Sequence, residues 1–129
     1  MLPKERVIAA LEFAHPDRIP VGETGIDYTI TEQILGHPTL YRGKWKELTA
    51  LWEGRRDEYV ESCKRDIVAL ALALEHDIVP AFLVPPRDLK PAPPEFLGPY
   101  TWRNPDGRVY VYSPITEGHP FILANPDQA

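Results

Sequence analysis

Proline is the residue that most constrains this chain, because each proline fixes its backbone φ angle and lacks an N–H donor. The 129-residue sequence contains 15 prolines, and six of them lie between Pro85 and Pro99. This many prolines predicts few long, uninterrupted helices or strands. Residues 85–99 are therefore expected to form an extended connector. The connector follows the helices and strands of residues 1–84 and precedes a β-hairpin region at residues 100–124.

The first helix is predicted from its end signals and its apolar stripe. Proline is favoured at the first helical position, which places the start near Pro3. The residue before a proline leaves the α region, which places the end at His15. Apolar residues recur between these limits at three- and four-residue spacing. They are Val7, Ala10, Leu11 and Ala14.

A short second helix is predicted between Thr29 and Gly36. Thr29 and Glu32 have the spacing of a capping box, in which a hydroxyl and a carboxylate each accept a hydrogen bond from a free backbone N–H. Gly36 is expected to end the helix because glycine adopts the left-handed conformation of a helix C-terminus.

Two longer amphipathic helices follow. The first places Trp45 and Trp52 on one face and ends at Gly54. The second is expected over residues 58–75 with Asp57 as its N-cap. The apolar stripe of the second helix includes Cys63, which we interpret as a buried, inert thiol.

Two apolar runs are predicted to be strands. Ile19-Pro20-Val21 precedes the helices, and Ile78 to Val84 follows them as a continuously apolar run, which is typical of a strand buried on both faces. A strand, a helical crossover and a second buried strand form the pattern of a parallel α/β sheet.

A β-hairpin is predicted around the turn sequence Asn104-Pro105-Asp106-Gly107. Proline fixes one φ angle of the turn, and glycine accepts a positive one. The flanking segments, residues 100–103 and 108–112, are rich in aromatic and β-branched residues. A third extended segment at residues 120–123 is expected to pair with the hairpin.

The composition excludes several classes of function. A net charge of −5 without a lysine or arginine cluster argues against nucleic-acid binding. No apolar stretch approaches the ~20 residues of a membrane span. The N-terminus lacks the pattern of a secretory signal, and a single cysteine fits a reducing compartment, so a cytoplasmic location is expected.

The candidate substrate-binding residues follow the first predicted strand: Glu23, Asp27 and Tyr28. Ligands gather at the carboxyl ends of strands in parallel sheets, where two carboxylates and a phenol can bind or polarise a small-molecule substrate. The alternative is structural, with Asp27 capping the next helix and Glu23 serving as a loop charge. The four histidines lie in turn or helix-end contexts, and no metal site is predicted.

Two stretches of the sequence resemble a known family. Lys4 to Glu12, followed by His15 to Val21, resembles the N-terminus of uroporphyrinogen-decarboxylase-like proteins. Trp102 to Gly107, continuing to Tyr112-Ser113-Pro114, also looks like these proteins. The family includes the haem-pathway decarboxylases (lyases of porphyrin biosynthesis) and cobalamin-dependent methyltransferases. The resemblance covers the N-terminal portion of the family's domain.

The resemblance implies a (β/α)₈ TIM barrel, a fold that needs roughly 250 residues. The chain is therefore expected to be α/β and to form a partial barrel: the N-terminal helices, about two barrel strands and an inserted β-hairpin. It is expected to contribute part of a site completed elsewhere and to be inactive alone. Self-association or a second chain would complete the barrel. No cofactor is expected in this chain, although a full-length methyltransferase-like parent would use zinc and a corrinoid.

One departure from the family pattern concerns the substrate. The decarboxylases carry an arginine-rich segment after the first strand, which binds substrate carboxylates, whereas residues 22–27 of this chain contain Glu23 and Asp27. An acidic segment is expected to repel a polycarboxylate. The alternative hypothesis is a free-standing small binding or assembly module without catalysis.

Overall fold

The computed structural model describes residues 1–128 and shows four α-helices followed by a small sheet. The helices are α1 (Pro3–Leu11), α2 (Tyr28–Leu35), α3 (Trp45–Trp52) and α4 (Arg56–Ala73). The predicted end of α3 is confirmed, since the helix stops just before Gly54, which has a positive φ of 77°. The capping box is wrong, because Asp27 is the N-cap of α2 and accepts a hydrogen bond from the Thr29 backbone N–H. Gly36 ends α2 with a left-handed φ of 74°, as predicted.

The sheet is an antiparallel meander at the C-terminal end of the described chain. Its strands are β1 (Glu95–Gly98), β2 (Thr101–Arg103), β3 (Val109–Val111) and β4 (Phe121–Ala124), paired in sequence order. A short 3₁₀-helix, Pro126–Gln128, follows them. The predicted hairpin is confirmed, since β2 pairs with β3 across a turn in which Gly107 has a φ of 85°. The strand β1 lies inside the segment that was expected to be a connector.

The predicted partial TIM barrel is wrong. Within residues 1–128 parallel pairing is limited to one bridge between Gly22 and Ile78, and the architecture is a small α+β unit. Ile19 is 81% exposed and Leu83 is fully exposed. A continuous apolar run signals burial on both faces, but burial requires layers on both faces that the described chain does not supply. Pro80 also lacks the N–H that a central strand needs.

An ionic cluster connects α1 to the segment after α4. The Asp77 side chain is fully buried and accepts hydrogen bonds from Arg6 at 2.5 Å, from Arg18 at 2.7 Å and from the Val21 backbone N–H at 2.9 Å. Arg6 also binds Asp17. These contacts join α1 to residues 17–21 and to the segment after α4. The predicted apolar stripe of α1 is wrong at Leu11, which is exposed, whereas Arg6 is buried.

A second polar cluster lies in the core between α2 and α4. The Asp66 carboxylate is fully buried and accepts hydrogen bonds from the Thr39 hydroxyl at 2.5 Å and from the Ser62 hydroxyl at 2.9 Å. The neighbouring apolar core contains Tyr41, Cys63 and Leu70, so the predicted burial of Cys63 is confirmed.

Aromatic packing joins α3 to the sheet. Trp102 on β2 contacts both tryptophans of α3, with ring centroids 5.9 Å from Trp45 and 5.1 Å from Trp52. Trp45 also packs against Tyr112, at 5.3 Å. Trp102 and Tyr112 are each 3% exposed. These two aromatic side chains are therefore buried within the chain itself. No helix in the described part of the chain has the length and apolar content that a membrane crossing requires.

Candidate functional site

An open cleft of about 820 Å³ lies between the helices and the C-terminal loops. Its walls come from four segments: Tyr41 to Leu48, the face of α4 between Tyr59 and Val68, Pro80 to Val84, and the loop that ends at Pro120. The volume is in the range of small-molecule sites in proteins. The walls combine an apolar segment with a few charged groups, which is the usual composition of such a site.

Three residues of the cleft have an unusual backbone conformation. Arg42, Lys44 and Glu117 have φ angles of 49°, 53° and 48°, although none of them is glycine. Positive φ costs a non-glycine residue on the order of 1–3 kcal/mol, and such residues concentrate at functional sites. Gly43 lies between two of them, and a Cβ at Gly43 would be 2.9 Å from the Leu40 carbonyl oxygen. The loop from Arg42 to Lys44 therefore has a strained backbone.

Lys44 is held in place by two carboxylates. Its ammonium group lies 2.5 Å from Asp27 Oδ2 and 3.1 Å from Glu117 Oε2. The Tyr28 hydroxyl donates a hydrogen bond to the other oxygen of Glu117, at 3.0 Å. Burial would raise the pKa of Asp27, but hydrogen bonds from Lys44 and Thr29 outweigh it and lower the pKa to about 2. Asp27 is therefore ionised and neutralised by Lys44 at physiological pH.

Arg42 differs from Lys44 in its partners. Its side chain is exposed in the cleft and forms no hydrogen bond or ion pair with residues 1–128. The guanidinium lies over the backbone of Gly25, where an added Cβ would be 2.5 Å from Nη1. Gly25 therefore allows the guanidinium to approach the chain closely. An arginine in this state can bind a carboxylate or phosphate through two parallel N–H donors.

A carboxyl, a phenol and a thiol line the floor of the cleft. The Tyr59 hydroxyl donates a hydrogen bond to Glu47 Oε1, at 2.9 Å. Burial raises the pKa of Glu47, and the hydrogen bond from Tyr59 and the charge of Arg42 counteract that shift in part. Burial also raises the pKa of the Cys63 thiol, so this cysteine is a poor nucleophile.

The structure brings two of the three sequence-predicted site residues together. Asp27 and Tyr28 meet through Lys44 and Glu117 behind the wall of the cleft. Glu23 lies apart from them, beside a small cavity of about 20 Å³ at the base of the Gly22–Ile78 bridge.

Sequence reasoning missed Arg42, Lys44, Glu47 and Glu117. Arg42-Gly43-Lys44 carries a weak signal, because a glycine between two cations after a helix suggests a shaped loop. Glu117 carries none, since its approach to Lys44 spans 73 residues. Within residues 1–128 no group of three or more His, Cys, Asp or Glu side chains is arranged to hold a metal ion.

No protein-family model matches the chain, and no match was found among curated proteins or solved structures. The resemblance to uroporphyrinogen-decarboxylase-like proteins therefore stays a prediction.

Proposed function

We propose that the chain forms part of a small-molecule binding site, centred on the cleft and completed by further polypeptide. The observation that carries this proposal is the clustering of strain. Among residues 1–128, five non-glycine residues have a positive φ, and three of them, Arg42, Lys44 and Glu117, line the same cleft. Strained conformations persist where the surrounding structure enforces them, and binding sites are where they are usually found.

Completion by further polypeptide is supported by the apolar wall of the cleft. Ile78 to Val84 contributes Phe82, Leu83 and Val84 to the cleft, yet all three side chains remain exposed. Large contiguous apolar surfaces mark sites where proteins bind other proteins or ligands. A second polypeptide surface over this segment would close the cleft and exclude water from it.

The isolated chain is proposed to be a binding element and not a complete enzyme. The residues that resemble the decarboxylase-like family near the N-terminus, Arg6, Asp17 and Arg18, are engaged in ion pairs with one another and with Asp77. These three side chains contribute to the fold through those ion pairs. We expect no conversion of uroporphyrinogen to coproporphyrinogen by the purified chain. Protein-dependent turnover in that assay would overturn this part of the proposal.

Ligand binding is tested by an NMR screen. A library of small organic molecules is added to ¹⁵N-labelled protein, and amide shifts are followed around Arg42, Lys44 and Gly118. We expect some molecules to shift these amides together, and we expect the shifts to weaken in Lys44→Ala. The control is Lys90→Ala, which removes an exposed lysine of the proline-rich segment. Shifts scattered over the surface, or identical shifts in both variants, would refute a site at this cleft.

A further inference from the structure

The charges of the cleft are not equally available to a ligand. Lys44 lies between Asp27 and Glu117, and Lys64 binds Glu61 at 2.9 Å. Arg42 forms no hydrogen bond or ion pair with the described residues, so its N–H donors are free for a ligand, although its charge also acts on Glu47 across the cleft. A cation at the mouth of a cleft attracts an anion, and arginine binds carboxylates with two parallel hydrogen bonds.

The surroundings of Arg42 limit the number of anionic groups. Glu47 and Glu117 line the same cleft as Arg42. A ligand with a second or third carboxylate would place it near one of these acidic side chains. Like charges at close distance repel each other near a protein surface. The cleft therefore favours one anionic group and disfavours a polyanion.

The rest of the ligand faces an apolar wall. Phe82 packs its ring against Tyr41, with centroids 5.9 Å apart, and Leu83 and Val84 continue the same wall. Ile67 and Val68 face the cleft from α4. A ligand that reaches from Arg42 along this wall removes its apolar surface from water, which favours binding.

We infer that the cleft binds an amphipathic organic monocarboxylate, with its carboxylate on Arg42 and its apolar body along Phe82, Leu83 and Val84. This inference rests on the proposed binding function and adds the chemical class of the ligand. Gly25 leaves room for the guanidinium, because a Cβ at that position would lie 2.5 Å from Arg42 Nη1 and would require the side chain to shift.

The test compares three probes with the same apolar body: phenylbutyrate, phenylbutanol and phenylbutylamine. Binding to the full chain is measured by NMR titration. We expect phenylbutyrate to bind at least tenfold more tightly than the alcohol, and the amine to bind most weakly. Arg42→Gln is expected to remove the preference for the acid, and Gly25→Ala to reduce it while the charge is kept. Arg87→Gln removes an exposed arginine outside the cleft and should change nothing.

The outcomes distinguish the proposed binding function from the assigned class of ligand. If none of the probes shifts the cleft amides, the cleft is not a site for ligands of this size, and both the ligand class and the proposed binding function lose their support. If the three probes bind equally, or the amine binds best, the cleft is a binding site but the assignment of a monocarboxylate is wrong. A preference for the acid that survives in Arg42→Gln would also overturn the assignment.

Discussion

Arg6 and Asp77 are 71 residues apart in the sequence, and their side chains lie 2.5 Å apart. The Asp77 carboxylate is inaccessible to solvent and also binds Arg18 and the backbone of Val21. Three segments are thereby joined around one carboxylate: α1, residues 18–21 and the segment after α4. Burial would raise the pKa of Asp77, but the hydrogen bonds from Val21 and Arg6 outweigh it, so the carboxyl stays ionised and the pKa is lowered.

Replacing Asp77 by asparagine is expected to destabilise the fold. The change leaves two arginines facing a neutral group, and buried charges without a partner are costly. We expect a clearly lower urea midpoint, with loss of amide protection in α1 first. Asp88→Asn, at an exposed position of the proline-rich segment, is the control and should leave the midpoint unchanged. Equal midpoints for the two variants would contradict a central role for this carboxylate.

Glu47 is expected to make stability depend on pH. Burial raises its pKa in the folded state, so ionisation of Glu47 lowers the free energy of unfolding. This decrease in the free energy of unfolding is absent below the unfolded-state pKa of about 4.3, and it is complete once the pH exceeds the folded-state pKa. Glu47→Gln keeps an acceptor for Tyr59 and should stabilise the protein at neutral pH, by about 1.4 kcal/mol for each unit by which the pKa is raised.

The measurement is urea unfolding of the wild type and of Glu47→Gln at neutral pH and below the unfolded-state pKa. The difference between the two proteins should vanish at the acidic condition. Glu12→Gln, at an exposed position after α1, should show no difference at either pH. A stabilisation that persists in acid would indicate an effect other than ionisation.

Two substitutions at Lys44 separate the effect of backbone strain on stability from the effect of the ion pairs. Lys44→Ala and Lys44→Gly both remove the contacts with Asp27 and Glu117, but glycine adopts a positive φ without strain. We expect Lys44→Gly to be more stable than Lys44→Ala by about 1 kcal/mol. Thermal unfolding measures the difference. The same pair of substitutions at Lys46, which is helical, should show the opposite order, because glycine is the worse helix former.

The apolar segment from Ile78 to Val84 is expected to cause self-association. Leu83 is fully exposed in this segment, so Leu83→Glu should reduce the concentration dependence of the apparent mass without loss of folding. Ile115 is 92% exposed in a different loop, and Ile115→Glu is the control. Light scattering over micromolar concentrations measures the effect. A wild-type chain that stays monomeric throughout would refute this expectation.

The sequence predicts those elements whose signals are local. The α3 helix has a regular apolar face, and the hairpin has a turn sequence that favours its own φ angles, so both are confirmed. Gly36 likewise ends α2, because glycine can adopt the left-handed conformation that commonly ends a helix, and this signal lies at the helix end itself. These elements need no knowledge of the rest of the chain.

The errors arise where distant segments decide the outcome. Ile78 to Val84 has the composition of a buried strand, but its burial depends on partner layers that composition does not reveal. Arg6 is buried in place of an apolar residue because Asp17 and Asp77 neutralise it. The cleft depends on a contact between Lys44 and Glu117 that no local sequence pattern predicts. Asp27 and Tyr28 were identified from their position after an expected strand, although that strand reduces to a single bridge.

The contact between Lys44 and Glu117 also bears on how the chain is made. Glu117 is added to the growing polypeptide 73 residues after Lys44, which corresponds to a delay on the order of 4–15 s at typical rates of translation. During that interval Lys44 has only Asp27 to hold it. Ile78 to Val84 is also synthesised before the loop that borders it in the finished cleft. The helices can form as they emerge, but the cleft closes late, and its apolar wall is a target for chaperones until then.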